Sequence, residues 1–463
     1  MSQTISSTNK LATENIGKLM WEYTLPAIMG TVVMSLYNIV DRIFIGQGVG
    51  ALAISGLALT MPFSIVLMAF GMLIGAGSAS RISITLGENN KDKAEKILGN
   101  AITLTFIMSG TAILLSMIFM DDILRLFGGT ENTLQYAREY MMIIIPGGIF
   151  TALYFGMNNI LRASGHPQKA MQNIMLGAII NTVLDPIFIF VFDWGIQGAA
   201  WATVISYLIG TIHVGRQFFG KTSTLRFHWN NLKPQKDIIL SIVSIGMSPF
   251  SMQIGTSMVV VFINSTLLKY GGDLAIGAYG IINSINMLIV MFIVGLNQGT
   301  QPIVGFNYGA GNYSRMFTTI KKAVIVATCF SVFGFILGMI FPRMAVSLFT
   351  NDINMIEISA NAMRISVIMF PVIGIQIVIS NFFQSIGKAK ISIFLSLTRQ
   401  FIFFIPALFI LPPLFKLNGA WASMPVSDGL AFFVSISTFA LFYKKFKQTK
   451  MQASDLPAEI IEQ

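Results

Sequence analysis

The chain has 463 residues, 54% of them hydrophobic and only 11% charged, with a mean hydropathy of +0.71. A water-soluble chain of this size carries roughly twice that charge, so a soluble globular fold is excluded. The net charge of +10 has to be explained by where it falls, and the single cysteine, Cys329, rules out an intramolecular disulfide framework or a thiolate metal cluster.

Residues 1–15 (MSQTISSTNKLATEN) are polar and lack a signal-peptide apolar core, so the N-terminus is expected to stay inside. Apolar stretches of about 20 residues or more, enough to cross a bilayer, then recur to the end of the chain. They predict twelve spans: 18–46, 52–80, 97–120, 139–162, 170–192, 197–219, 237–268, 275–304, 323–342, 360–386, 391–413 and 419–443. The expected fold is an all-α polytopic membrane protein. With the N-terminus inside, 22 of the 30 lysines and arginines fall on inside segments. Six fall outside (Arg125, Arg138, Lys269, Arg343, Arg364, Lys416), and Arg42 and Arg399 remain within spans. The positive-inside rule therefore predicts both termini in the cytoplasm. The basic residues orient the chain and are not a nucleic-acid footprint.

The second half echoes the first at an offset of 222 residues. Leu52-Ala53-Ile54 matches Leu274-Ala275-Ile276, Phe70 matches Phe292, and Gly77 and Gly87 match Gly299 and Gly309. Leu126-Phe127 matches Leu348-Phe349, Gly165 matches Gly387, and Pro26 and Pro249 miss by one position. Six spans per half is an even number, so the two halves form a parallel repeat, which suits alternating access of two rocking lobes. The expected organisation is an N-terminal lobe (1–219), an inter-lobe linker (220–236), a C-terminal lobe (237–450) and a tail (451–463). Small residues such as Gly71, Gly75, Gly77, Gly295 and Gly299 are expected to let helices approach closely.

Two carboxylates interrupt the apolar runs. Asp41 lies in LPAIMGTVVMSLYNIVDRIFIG and Asp185 in MLGAIINTVLDPIFIFVF. A charge near a bilayer centre costs from about 2.5 to well over 10 kcal/mol, so such residues are functional candidates by default. At 1.5 Å per residue both fall in the outer half of the first lobe, and Thr203 reaches a similar depth. Asn181 precedes Asp185 by four residues and shares its helix face. Two carboxylates, an amide and a hydroxyl form an all-oxygen set suited to a proton or a hard cation such as sodium. Otherwise each aspartate caps a broken helix or pairs with a cation; the nearby Arg42 points about 100° away from Asp41 and is expected to snorkel to the interface. Pro26 and Pro186 are hinge candidates, since proline removes a helix hydrogen bond. At the 222 offset Ile263 stands for Asp41 and Ala407 for Asp185, so the site is not duplicated. The second lobe instead carries Arg399 and Asp428, opposite charges expected to neutralise each other as a structural or gating pair. The 28 methionines suit an adaptable cavity, although most are expected to pack or face lipid. His166, His213 and His228 read as solvated surface. No Walker loop, HExxH or serine-histidine-acid constellation occurs, which disfavours an ATP-driven pump or an intramembrane protease.

The segments YNIVDRIFIG, ILRASGHPQKA (160–170), NTVLDPIFIF (181–190), GIQGAAWATVIS (195–206) and SLTRQFIFFIPALFILP (396–412), with Pro26, resemble the MATE (multidrug and toxic compound extrusion) family over nearly the whole chain. The likeness is to its DinF branch and the MepA-like group within it. The resemblance implies a secondary antiporter, not an enzyme, exporting organic and often cationic amphipathic drugs or metabolites in exchange for H+ or Na+, with no other cofactor. It implies a cation site at Asp41, Asn181, Asp185 and Thr203, and carries over Tyr37, Tyr140, Asn158 and Met175 as substrate contacts. The NorM branch places acids in spans 7 and 10, where this chain has none. The expected setting is the prokaryotic inner membrane, with lipid as neighbour, no nucleic acid and a monomeric chain. The alternative is a flippase for lipid-linked saccharides or lipids of the wider superfamily. That activity calls for a strongly basic cavity to hold pyrophosphate, whereas the first lobe has an excess of acid.

Overall fold

The fold was analysed in a computed structural model, which describes residues 10–49, 51–126, 131–220, 223–350 and 352–454. The Arg42 side chain, the Leu52–Ile54 side chains, Phe127 and the end of the tail (455–463) lie outside the described residues. The described secondary-structure elements are all helical. In the first lobe the helices are α1 (Ile16–Gly48), α2 (Ala51–Gly87), α3 (Lys91–Ile118), α4 (Glu131–Ala163), α5 (Pro167–Pro186, continued by a π-helical stretch Ile187–Val191) and α6 (Gly195–Arg216). After a linker containing a short 3-10 turn, Trp229–Leu232, come α7 (Lys236–Gly272) and α8 (Leu274–Gly309), joined at Gly272, where φ is +67°. Helix α9 spans Tyr313–Ile340. Helix α10 is made of Ile353–Ser366 and Phe370–Ser385, bent by 55° at the break between them. The last stretch divides at Lys416, where φ is +52°, into α11 (389–415, with a π-helical segment Thr398–Phe404) and α12 (417–454). Twelve crossings result.

The bent α10 differs from the uninterrupted span 360–386 expected from hydropathy. Pro371, at the start of its second half, lacks the N–H that would bond back across the break and disfavours helical geometry in the residue before it. Helix α1, by contrast, runs through Pro26 without interruption.

The internal repeat is visible in the chain's helix ends. The N–H of Asn90 donates to the Thr85 carbonyl, as that of Asn312 does to Asn307; likewise His166 donates to Leu161 and Lys388 to Phe383. These are 6→1 bonds of Schellman motifs, which need a residue at positive φ between them. Asn89 (φ 58°), Gly311 (70°), Gly165 (94°) and Gly387 (73°) supply it, at spacings that follow the sequence repeat.

The cores explain the shape. One apolar cluster draws on both lobes and occupies the half of the bundle that carries the termini. It includes Leu19, Leu73, Ile82, Leu98 and Ile160 with Ile242, Ile293, Leu296, Ile303 and Phe382. Towards the opposite face it separates. Ile263, Tyr279, Phe370 and Trp421 belong to a core of the second lobe alone, while Ile45, Tyr140, Ile189 and Val204, and separately Phe63, Leu124 and Met141, belong to the first. The lobes thus share one core at the terminal face and have their own at the other. Glycine makes the shared part tight. A Cβ on Gly77 would collide with the Ile242 backbone, on Gly246 with Leu73, on Gly87 with Phe306 and on Gly309 with Ile84. The last two contacts are repeat-related images of each other. Gly71 and Gly75, in contrast, meet Ala152 and Gly156 inside the first lobe.

Candidate functional site

In the outer core of the first lobe, α5 carries Asn181 and Asp185 one turn apart on the same buried face. The Asn181 amide donates to Asp185 Oδ1 and to Thr203 Oγ1 on α6, each at 3.4 Å. Asp41, on α1, places its carboxyl within hydrogen-bonding and electrostatic range of Asp185. Tyr140 on α4 closes the group: its hydroxyl hydrogen-bonds with Thr203 and feels the charges of both aspartates. Asp185 is fully buried and Asn181 2% exposed. Among the described residues, Asn181 Oδ1 has no hydrogen-bond donor although it is buried. The structure therefore brings together Asp41, Asn181, Asp185 and Thr203, the four that depth along the spans had grouped. The donor set is oxygen only, and the charge set against Asp185 by Asp41 is of the same sign. The residues fit a proton or a small hard cation.

The local backbone suits the task. Pro186 removes the amide that would bond to the Thr182 carbonyl, and α5 then continues as the π-helical Ile187–Val191. Such single-turn irregularities widen a helix where function needs an altered side-chain direction.

Next to this cluster is a slot lined by Met34, Tyr37, Tyr154, Phe155, Tyr207 and the shared Asn181 and Thr203, enclosing about 300 Å³ of space between atoms. Its walls are aromatic. The rings of Tyr154 and Tyr207 lie 5.2 Å apart, those of Phe155 and Tyr207 5.9 Å, and the Tyr37 and Tyr207 hydroxyls bond at 2.6 Å. Closely packed as it stands, the slot has room for about one water.

The proposed substrate contacts separate on inspection. Tyr37 is on the slot wall. Tyr140 stands with the acids. Asn158 is buried on α4, its amide donating to the Tyr154 carbonyl at 2.9 Å, one layer behind the slot. Met175 is half-buried on α5 and does not line it. Sequence reasoning missed Tyr207, although it follows Thr203 by four residues and so shares its face, and Tyr154 and Phe155, which carried no signal beyond being aromatic.

It also missed Arg162, counted above as an inside-loop charge. Arg162 is buried at 4% exposure near the end of α4, and Nη1 donates to Gln298 Oε1 of α8 in the other lobe at 2.8 Å. Gln301 Nε2 reaches back to Ser80 Oγ at 2.6 Å, making a second polar tie between the lobes. His166 differs from the solvated surface expected of it. It is half-buried, its Nδ1 without a partner among the described residues, and burial, with the charge of Lys169 second, lowers its pKa from the ordinary 6.5 against an opposing hydrogen bond that the ring donates to the Ser164 carbonyl. His213 is half-buried at the end of α6, and His228 is exposed, with Nε2 3.2 Å from Glu95 Oε2. In the second lobe Arg399 Nε donates to Asp428 Oδ1 at 2.6 Å.

Two six-helix lobes sealed together at one face, with a cluster of two carboxylates inside one of them, define a membrane transporter and not an enzyme. The MatE family model matches the chain twice, over residues 26–187 and 246–410, one match in each lobe, and the chain belongs to that family. It is 28% identical over 450 residues to the Multidrug export protein MepA of Staphylococcus haemolyticus, covering 96% of this chain and 97% of that one. Among solved structures it superposes on a MOP superfamily transporter from Pyrococcus furiosus with a TM-score of 0.89 at 24% identity, over 95% of this chain and 98% of that one. On a MATE structure described as in the bent conformation the TM-score is 0.90, again at 24% identity, over 96% and 98%. These likenesses carry the fold, including its twelve-helix, two-lobed form.

Proposed function

We propose that the chain is a secondary active antiporter that exports cationic, amphipathic organic compounds in exchange for H+ or Na+ across the cytoplasmic membrane, with both termini on the cytoplasmic side. One observation carries this reading: the acidic cluster and the aromatic slot share Asn181 and Thr203. An ion held by Asp41 and Asp185 pulls those two side chains toward the carboxylates, and a guest in the slot competes for them. Ion and guest are then mutually exclusive, which is the thermodynamic requirement for exchange. The aromatic walls favour a flat organic cation, because ring faces attract positive charge. The multidrug export relative supports the substrate class. The excess of lysine and arginine on the segments nearest the termini supports the orientation.

The test is transport by purified protein in liposomes, with ethidium as the guest and sodium and proton gradients imposed one at a time. One gradient drives ethidium against its concentration difference, and the opposite gradient reverses it. Ethidium movement indifferent to both gradients would overturn the reading.

A further inference from the structure

The second lobe carries a buried charged group that the exchange reaction, as described so far, does not use. Asp428 on α12 is 3% exposed, and its partner Arg399 on α11 has a side chain 28% exposed. Among the described residues, Arg399 is the one charged group set against Asp428 from any helix packed around it. Asp428 lies about 16 Å below the α11–α12 break, close to the middle of a 30 Å apolar layer and roughly one helical turn deeper than the first-lobe acids.

Two features make this a built site and not an incidental pair. Its helices are the repeat counterparts of those that build the first-lobe cluster: α7, α11 and α12 stand for α1, α5 and α6. Helix α7 is tied to the same segment of α11 through Thr256, whose Oγ1 accepts from Gln400 Nε2 at 2.8 Å. The backbones of α10, α11 and α12 around the pair are also irregular. Arg399 lies in the π-helical Thr398–Phe404, as Asp185 borders the π-helical Ile187–Val191. Pro425, one turn before Asp428, leaves the Trp421 carbonyl without its helical donor, and Gly429 faces Met369 at the 55° break of α10.

We propose that the Arg399 guanidinium is a tethered cation. It permanently fills a carboxylate site in the second lobe of the kind that the first lobe offers to a mobile ion, so only one lobe exchanges ions in each cycle. An ordinary scaffold pair does not need the π-helical segment. A hydrophobic pair would hold the two helices together at lower desolvation cost. This inference rests on the ion-exchange reading of the first lobe, and its test keeps the two apart.

The experiment is thermal unfolding of purified protein in detergent, in sodium chloride against choline chloride and at pH 5.5 against pH 8. The parent variant, Asp41→Asn with Asp185→Asn, silences the first-lobe cluster. In that parent, adding Arg399→Gln lowers the melting temperature, and sodium or acid then restores roughly 2–4 °C of it, because the vacated Asp428 takes up a cation. Arg399→Lys, which keeps the tethered charge, responds to neither beyond the parent. Nor does Arg399→Gln with Asp428→Asn, which has no carboxylate to fill. The proposal is overturned if Arg399→Gln gains no cation dependence over the parent. It is equally overturned if that variant fails to fold in every ion, whether or not the double neutral variant folds. If the otherwise native chain lacks any cation-dependent shift while Arg399→Gln gains one, the first-lobe reading fails, and with it the one-lobe exchange, while the filling of the Asp428 site by Arg399 stands.

Discussion

Asp185 faces a second carboxylate inside an apolar core, and two such groups cannot both hold negative charge without a cation between them. Asp41→Asn or Asp185→Asn should therefore lower gradient-driven ethidium efflux by at least about tenfold, the effect of losing roughly 1.4 kcal/mol or more of ion binding, with expression and melting behaviour kept. Full efflux in either variant removes that residue from the site. Thr203→Val is milder: it takes the acceptor from Asn181 and the partner from Tyr140, at a cost of about 1–3 kcal/mol. Its signature is a rise in the ion concentration needed for half-maximal exchange, with maximal rate little changed. His166 gives a pH effect of known sign. Its pKa is depressed on folding, so the unfolded chain binds the proton more readily and stability falls as pH drops from about 6.5 toward the lower folded value. His166→Gln should flatten that acid limb in melts taken between pH 8 and pH 5; an unchanged limb assigns it elsewhere. The acids could be read from the sequence because each breaks a long apolar run, and Asn181 because it is four residues from Asp185. Arg162 could not, since its role depends on Gln298, 136 residues away, and nothing local marks a helix-end arginine as buried.

Helix α5 shows why elements were only partly legible. Its length and face followed from hydropathy and the Asn181–Asp185 spacing, but its π-helical end did not, because a π turn leaves no periodic trace in five apolar residues. Pro186 offered a local clue, as Pro371 did for the bend in α10. Pro186 ends the regular hydrogen bonding just after Asp185 and leaves the Thr182 carbonyl without its amide. Alanine restores that donor, which favours a regular α turn and rotates whatever follows. Pro186→Ala should accordingly raise thermal stability, with up to about 3 kcal/mol available from removing proline from a helix interior, while loosening the tie between ion and guest. The measurement is ethidium leak through liposomes with no gradient imposed, compared with efflux under the effective gradient. Leak rises relative to driven efflux if the π segment sets the direction of Asp185, and the ratio stays put if it does not.

Over the whole molecule, the constant 222-residue offset has a physical cause. The matched glycines Gly87 and Gly309 each meet the backbone of the opposite lobe, at Phe306 and Ile84, positions that are themselves one offset apart. They are two images of one contact about the axis that relates the lobes. Gly77 and Gly246 extend the same seam, while Arg162–Gln298 and Ser80–Gln301 tie it with polar bonds. This seam closes the terminal face, whereas among the described residues the opposite half has separate cores. The proposed exchange requires both faces to open in turn; on that reading the seam parts once per cycle, and its stability sets the balance between the two states. Gly246→Leu places a branched side chain against the Leu73 backbone, where even a Cβ does not fit, and should disfavour the sealed state. The probe is Ser80→Cys in a Cys329→Ala chain, which removes the exposed native thiol; Ser80 is fully buried in the sealed form. A membrane-permeant maleimide should label that cysteine about tenfold faster when Gly246→Leu is added, corresponding to a shift of about 1.4 kcal/mol between the states. Ethidium efflux should fall with it, because a transporter held open at one face cannot complete a cycle. Slow labelling with efflux intact would mean that the glycines fill space without gating, and that the seam stays closed through the whole of transport.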